Sequence, residues 1–157
     1  MEQIPNKVSR GIRNNNPGNI RHAYGKDDKC DWQGLDSTKE GNDKDFCTFK
    51  TMGYGCRALI KTLQTYVKKH RCMSIAQVVC RWAPSNENDT ESYIYSVSSF
   101  CHYGAQSKLD FKKRPDLWLN IARAIARHEN GDDIKYITEE DWKFACSQCN
   151  VTYSSYE

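Results

Sequence analysis

The apolar residues change their period near residue 53, and that change divides the chain. From there on they recur at helical spacing. Cys56, Leu59, Ile60, Leu63, Tyr66 and Val67 form one stripe, with Lys61, Lys68 and Lys69 off it. Ser74 is a natural N-cap for a second helix carrying Ile75, Val78, Val79 and Trp82, and Pro84 ends it. Asn88-Asp89-Thr90 can cap a third, with Tyr93, Ile94, Val97 and Phe100 inward. Pro115 suits the first turn of a fourth, which presents Leu117, Ile121 and Ile125 and stops at Asn130-Gly131. Thr138-x-x-Asp141 resembles a capping box opening a fifth. The first fifty residues have no such period. Gly11, Pro17, Gly18, Gly25, Gly34 and Gly41 punctuate an Asn- and Asp-rich stretch, which is turn chemistry, and short β-hairpins are expected around Gly18–Arg21 and Phe46–Phe49. The reading is a mainly α (α+β) chain of one domain over residues 1–157, a helical body with a small β or irregular lobe in front.

Composition narrows the function classes. A chain of 157 residues suits a single core. The net charge of +3, from 23 basic and 20 acidic side chains, is too small to argue for a nucleic-acid partner, although it suits an anionic polymer. No apolar run approaches the roughly 20 residues needed to span a bilayer. Met1–Lys7 lacks the apolar stretch of a secretory signal, so the chain is expected to act where it is made or to be delivered by another route. Eight cysteines hint at disulfides and an oxidising destination. The alternative is that several are small buried apolar residues, which Cys56 and Cys80, on apolar helix faces, would fit. Neither His22, His70, His102 and His128 nor Cys146-x-x-Cys149 has the spacing of a metal site, and no phosphate- or dinucleotide-binding glycine motif is present; no cofactor is expected.

Three segments carry candidate chemistry. In Arg10–Arg21, consecutive Asn14, Asn15 and Asn16 before Pro17-Gly18-Asn19 offer amide donors and acceptors suited to sugar hydroxyl and acetamido groups, unless they simply build an Asx-type turn. Arg81–Thr90 groups Trp82, Asn86, Glu87 and Asp89 around a proline turn, or is merely a helix stop followed by a helix cap. In His128-Glu129-Asn130-Gly131, Glu129 sits at the C-terminal end of a helix, where the dipole disfavours negative charge. A carboxyl that keeps its proton is what a glycosidic oxygen needs from a general acid; the plain alternative is a solvated glutamate beside a C-cap.

Taken in order, Arg10-Gly-Ile-Arg-Asn-Asn-Asn-Pro-Gly-Asn-Ile-Arg21, Trp32-Gln-Gly34, Phe46-Cys-Thr-Phe49, Gly55-Cys-Arg-Ala-Leu59, Arg81-Trp-Ala-Pro84, Asn86-Glu-Asn-Asp-Thr90 and His128-Glu-Asn-Gly131 resemble a phage-type family of lysozyme-like proteins, often labelled virion structural proteins and associated with cell-wall lysis. The resemblance covers about residues 9–131 and leaves 132–157 as a C-terminal extension. More distantly, the order Asn15-Asn16…Asn19-Ile20-Arg21, Trp32-x-Gly34 and Phe46-x-x-Phe49 is similar to flagellar- and autolysin-type glucosaminidases and to lytic transglycosylases. In those glucosaminidases a helix ending in Glu precedes these motifs. Here the helix ending at Glu129 would supply it from the other end of the chain, through a circular permutation, with Asn130 where those enzymes have Ser or Thr.

The resemblance implies a lysozyme-like fold and cleavage of β-1,4 bonds in the glycan strands of peptidoglycan, as a muramidase, glucosaminidase or lytic transglycosylase. Glu129 would be the general acid, Glu87 or Asp89 the second carboxylate, and Asn15, Asn16, Asn19, Trp82, Asn86, Tyr93 and Asn130 the sugar contacts. If neither second carboxylate reaches, a substrate acetamido or 6-hydroxyl group would take its role. The protein would act on the cell wall, delivered by a phage particle, lysis or a non-classical route, beside other virion or secretion proteins. Two alternatives are a non-catalytic structural or wall-binding protein, and a peptidase pairing Cys30 or Cys47 with His22.

Overall fold

In a computed structural model of the chain, residues 7–22, 32–36, 43–86 and 88–155 are described. The elements run α1 (Arg10–Arg13), α2 (Met52–Lys68), α3 (Ile75–Trp82), α4 (Thr90–Cys101), α5 (Leu117–Asn130), a 3-10 segment (Gly131–Tyr136) and α6 (Glu139–Cys149). The fold is mainly helical.

Local chemistry sets the helix ends. The side chains of Thr51, Ser74 and Asp89 accept from Tyr54 N, Gln77 N and Ser92 N. Thr138 and Asp141 close a reciprocal capping box. Each such cap stabilises by about 1 kcal/mol. His102 and Asn150 end α4 and α6 in the left-handed conformation, at φ 49° and 55°. Pro115 lies ahead of Asp116, the residue before Leu117, and so outside the first turn expected for it.

The core forms because the helical stripes converge. α2 packs against α6, α5 and α3, and α4 against α5 and α3. Leu59, Ile60, Leu63, Ile75, Val79, Val97, Leu117, Leu119 and Ile125 are buried together, each contributing about 1.5–3 kcal/mol of burial. Trp142, Ala145, Cys146 and Cys149 of α6 belong to the same cluster, so the C-terminal extension supplies part of the core. Arg123 crosses this layer buried. It donates to Glu139 (2.7 Å) and the Ser154 carbonyl (2.8 Å), beside the Trp142 and Tyr153 rings.

The front lobe differs from the hairpins expected of it. Among the described residues it pairs only through single antiparallel bridges, Arg21 with Phe46 and Leu35 with Phe49. Polar side chains do the work of strands. Asn16, fully buried, donates to the Ile20 and Cys47 carbonyls and accepts from Ile20 N. Asp43 accepts from Arg10 (2.6 and 2.9 Å), Asn14 (2.9 Å) and the amides of Asp45 and Phe46. Phe49 and Cys47 then bury against Ala58 of α2. Gly55 lets the lobe approach: a Cβ there would overlap the Asn15 carbonyl. Cys80 is exposed, against the expectation of a buried helix face; Cys56, Cys72, Cys101, Cys146 and Cys149 are buried thiols.

Candidate active site

The C-terminal turn of α5 meets the front lobe at a groove of about 340 Å³. Asn130 fixes the junction. Its amide donates to the Pro17 carbonyl (2.8 Å) and Ala126 carbonyl (2.9 Å), and its Oδ1 accepts from Ser9 Oγ (2.6 Å). The preceding residue, Glu129, thereby opens onto the groove with Gly18, Asn19, Arg21, Phe46 and Trp82. Gly18 is required for closeness, since a Cβ would stand 2.8 Å from the Trp82 ring.

Both Glu129 oxygens accept hydrogen bonds. Asn19 Nδ2 donates to Oε1 at 2.8 Å, and the Tyr93 hydroxyl donates to Oε2 at 2.8 Å. Three elements distant in sequence hold one carboxylate: the front loop, α4 and α5. Asn19 adopts φ 50°, a left-handed conformation that asparagine tolerates better than most residues. Its own Oδ1 is buried without a partner among the described residues, which leaves an acceptor in the side chain that binds Glu129. Burial first, then the adjacent Glu129 charge, pushes the Tyr93 phenol far above its usual range, so it stays a proton donor. The exposed His128 ring stacks on Tyr93 at 3.7 Å between centroids.

The candidate residues divide accordingly. Glu129, Asn19 and Trp82 line the groove. Tyr93 reaches Glu129 through its hydroxyl, but its side chain is buried at 1% exposure and its ring offers no open face for a sugar, as stacking would need. Asn16 and Asn130 are buried and spend their amides on the backbone, so they shape the loop rather than face a ligand. Asn15 is likewise occupied, donating to the Phe49 and Lys50 carbonyls. Asn86 is exposed on the turn after α3; its neighbour Asn88 lines the groove instead. Asp89 caps α4. Glu87 and Cys30 lie outside the described residues. Cys47 Sγ lies 3.9 Å from His22 Nδ1, but Cys47 is fully buried, which denies a nucleophile its substrate.

Sequence reasoning missed Arg21, Phe46, Thr62, Tyr66 and Asn88 as groove residues. Tyr66 reads as part of an apolar stripe; Arg21, Phe46 and Asn88 fall within motifs singled out above without being named as contacts, and Thr62 carries no local signal. Among the described residues, no group of three His, Cys, Asp or Glu side chains is placed to hold a metal, and no helix is long and apolar enough to cross a membrane.

The molecule is thus a helical protein with one carboxylate held at a groove by an asparagine and a buried tyrosine. Over 128 residues, 82% of this chain and 75% of the relative's length, it is 37% identical to Protein P5 of Pseudoalteromonas phage PM2. The chain belongs to the family of that phage protein. No profile of a known protein family matches it.

Proposed function

We propose that this chain is a peptidoglycan-cleaving glycosidase of lysozyme-like fold, with Glu129 as its general acid. The observation that carries the reading is the placement of Glu129, at a helix end, on a groove, under two protein donors. A general acid must be held within hydrogen-bond reach of a bound oxygen, and Tyr93 and Asn19 restrict where this carboxyl can point. Trp82, partly buried along the groove, offers an aromatic face for a sugar ring.

Glu129 is the one acidic side chain among the described residues lining the groove. That favours chemistry with a single protein acid. Glu129 protonates the leaving glycosidic oxygen as its bond to the anomeric carbon breaks; the acetamido oxygen or the 6-hydroxyl oxygen of the substrate bonds that carbon instead, and the Glu129 carboxylate then takes back a proton, from the 6-hydroxyl or from the water that opens the acetamido adduct. The phage origin of the relative supports a phage context for the chain.

One observation favours the rival reading, a non-catalytic wall-binding protein. Both oxygens of Glu129 are engaged, so the carboxylate also ties three elements together. Zymography on purified cell wall with Glu129→Gln separates the two. The glycosidase reading expects clearing by the native chain and a loss of about 10²–10⁴-fold in the variant, with its circular dichroism spectrum kept. Equal clearing by both removes Glu129 from the chemistry, and clearing by neither supports the binding protein.

A further inference from the structure

We propose that the trough between α4 and α5 is a further subsite for the glycan strand, so that a bound strand lies across Glu129 with saccharides held on both sides of the acid. This deepens the glycosidase reading and rests on it for the identity of the polymer. The trough encloses about 580 Å³, and its lining includes Tyr95, Ser96 and Ser99 of α4 with Ala124, Arg127 and His128 of α5. Groove and trough share no lining residue, yet they meet at consecutive positions: Glu129 opens onto one and His128 onto the other. Consecutive residues of a helix point about 100° apart, so the two concavities open on adjacent faces of one helix end. The bond from the Tyr93 hydroxyl to Glu129 and the stack of Tyr93 on His128 tie α4 and α5 together at that junction.

The lining has the chemistry of a sugar site. Tyr95 is 75% exposed, more than any other large apolar side chain among the described residues, and it stands beside two serine hydroxyls. A pyranose presents a C–H face and a rim of hydroxyls. The Tyr95 ring suits the face, and Ser96, Ser99 and the Arg127 guanidinium suit the rim. Tyr95 and Ser99 stand one turn apart on α4, as do Ala124 and His128 on α5, which gives the trough a length of about 6 Å leading away from Glu129, enough for one ring. Continuity decides the occupant. A linear polymer whose scissile bond lies at Glu129 must continue past the acid, and the trough opens one residue beyond it. A peptide stem branches from the strand and has no need to follow α5.

The test is calorimetric binding of stem-free glycan fragments of two and eight saccharides, and of the free stem peptide, to the Glu129→Gln chain, which holds the fragments uncleaved. The kcat/KM of the native chain for the octasaccharide reads the same comparison without that substitution. The octasaccharide is expected to bind about tenfold more tightly than the disaccharide. Tyr95→Ala, which removes an exposed ring and spares the core, should weaken the octasaccharide about fivefold, and Ser99→Trp, which fills the trough, should do the same. An octasaccharide held equally with and without these substitutions overturns the proposal, as does equal binding of the two fragments or a Tyr95 dependence confined to the stem peptide. Cleavage by the native chain that ignores Tyr95 sinks the subsite and leaves the glycosidase reading. Tyr95-dependent octasaccharide binding without cleavage upholds the subsite and sinks that reading. Absence of binding to either fragment overturns the subsite.

Discussion

Asp43 shows how single polar residues replace strands in the front lobe. Burial alone would raise its pKa. Hydrogen bonds from Arg10, Asn14 and the amides of Asp45 and Phe46 override that and hold the carboxyl well below the usual range. A carboxyl depressed by folding contributes stability that is present above the unfolded value, about 3.9, and is lost as pH falls through the folded one. Thermal melts of the native chain should therefore fall off below about pH 4. Asp43→Asn should melt lower at pH 7, by about 5 °C, with the gap narrowing in acid. A gap that stays constant down to pH 2 would contradict the role assigned to this carboxylate. The same scale explains why asparagines are ambiguous in a sequence. Asn15, Asn16 and Asn130 read equally as sugar contacts or as turn builders, because an amide can serve either a ligand or a backbone, and composition does not say which. Only the fold shows that Asn16 bonds Ile20 and Cys47.

At the scale of elements, α2 to α6 were legible because apolar period and capping residues agree. Thr51, which the sequence reading did not single out, and Ser74, Asp89 and Thr138, which it did, all cap helices. The four-residue α1 and the 3-10 segment Gly131–Tyr136 were not legible, since each is too short for a period to register. The expected hairpins reduced to two bridges. The alternation in Phe46–Phe49 instead marks Cys47 and Phe49 burying against Ala58. That docking depends on a bare backbone in α2. Gly55→Ala would drive a methyl into the Asn15 carbonyl and should destabilise by about 3 kcal/mol, read as a lower denaturant midpoint. An unchanged midpoint would mean that the lobe is not seated on α2 as described.

Across the whole molecule, the helical body and the identity of Glu129 as the acid to examine were readable from sequence, whereas the walls of its groove were not. Residues 18–21, 46, 62, 66, 82, 83, 88 and 129 converge there from segments whose local patterns are silent about one another. The C-terminal extension, outside the resemblance, is integral: Trp142, Cys146 and Cys149 lie in the common core. The central claim is that Glu129 protonates a glycosidic oxygen of the cell wall. Mass spectrometry of purified peptidoglycan digested by the native chain tests it most directly. The account predicts glycan fragments with newly cut β-1,4 ends and intact peptide stems, absent after Glu129→Gln. Cut stems on uncut glycan, or no soluble fragments from a folded protein, would contradict it.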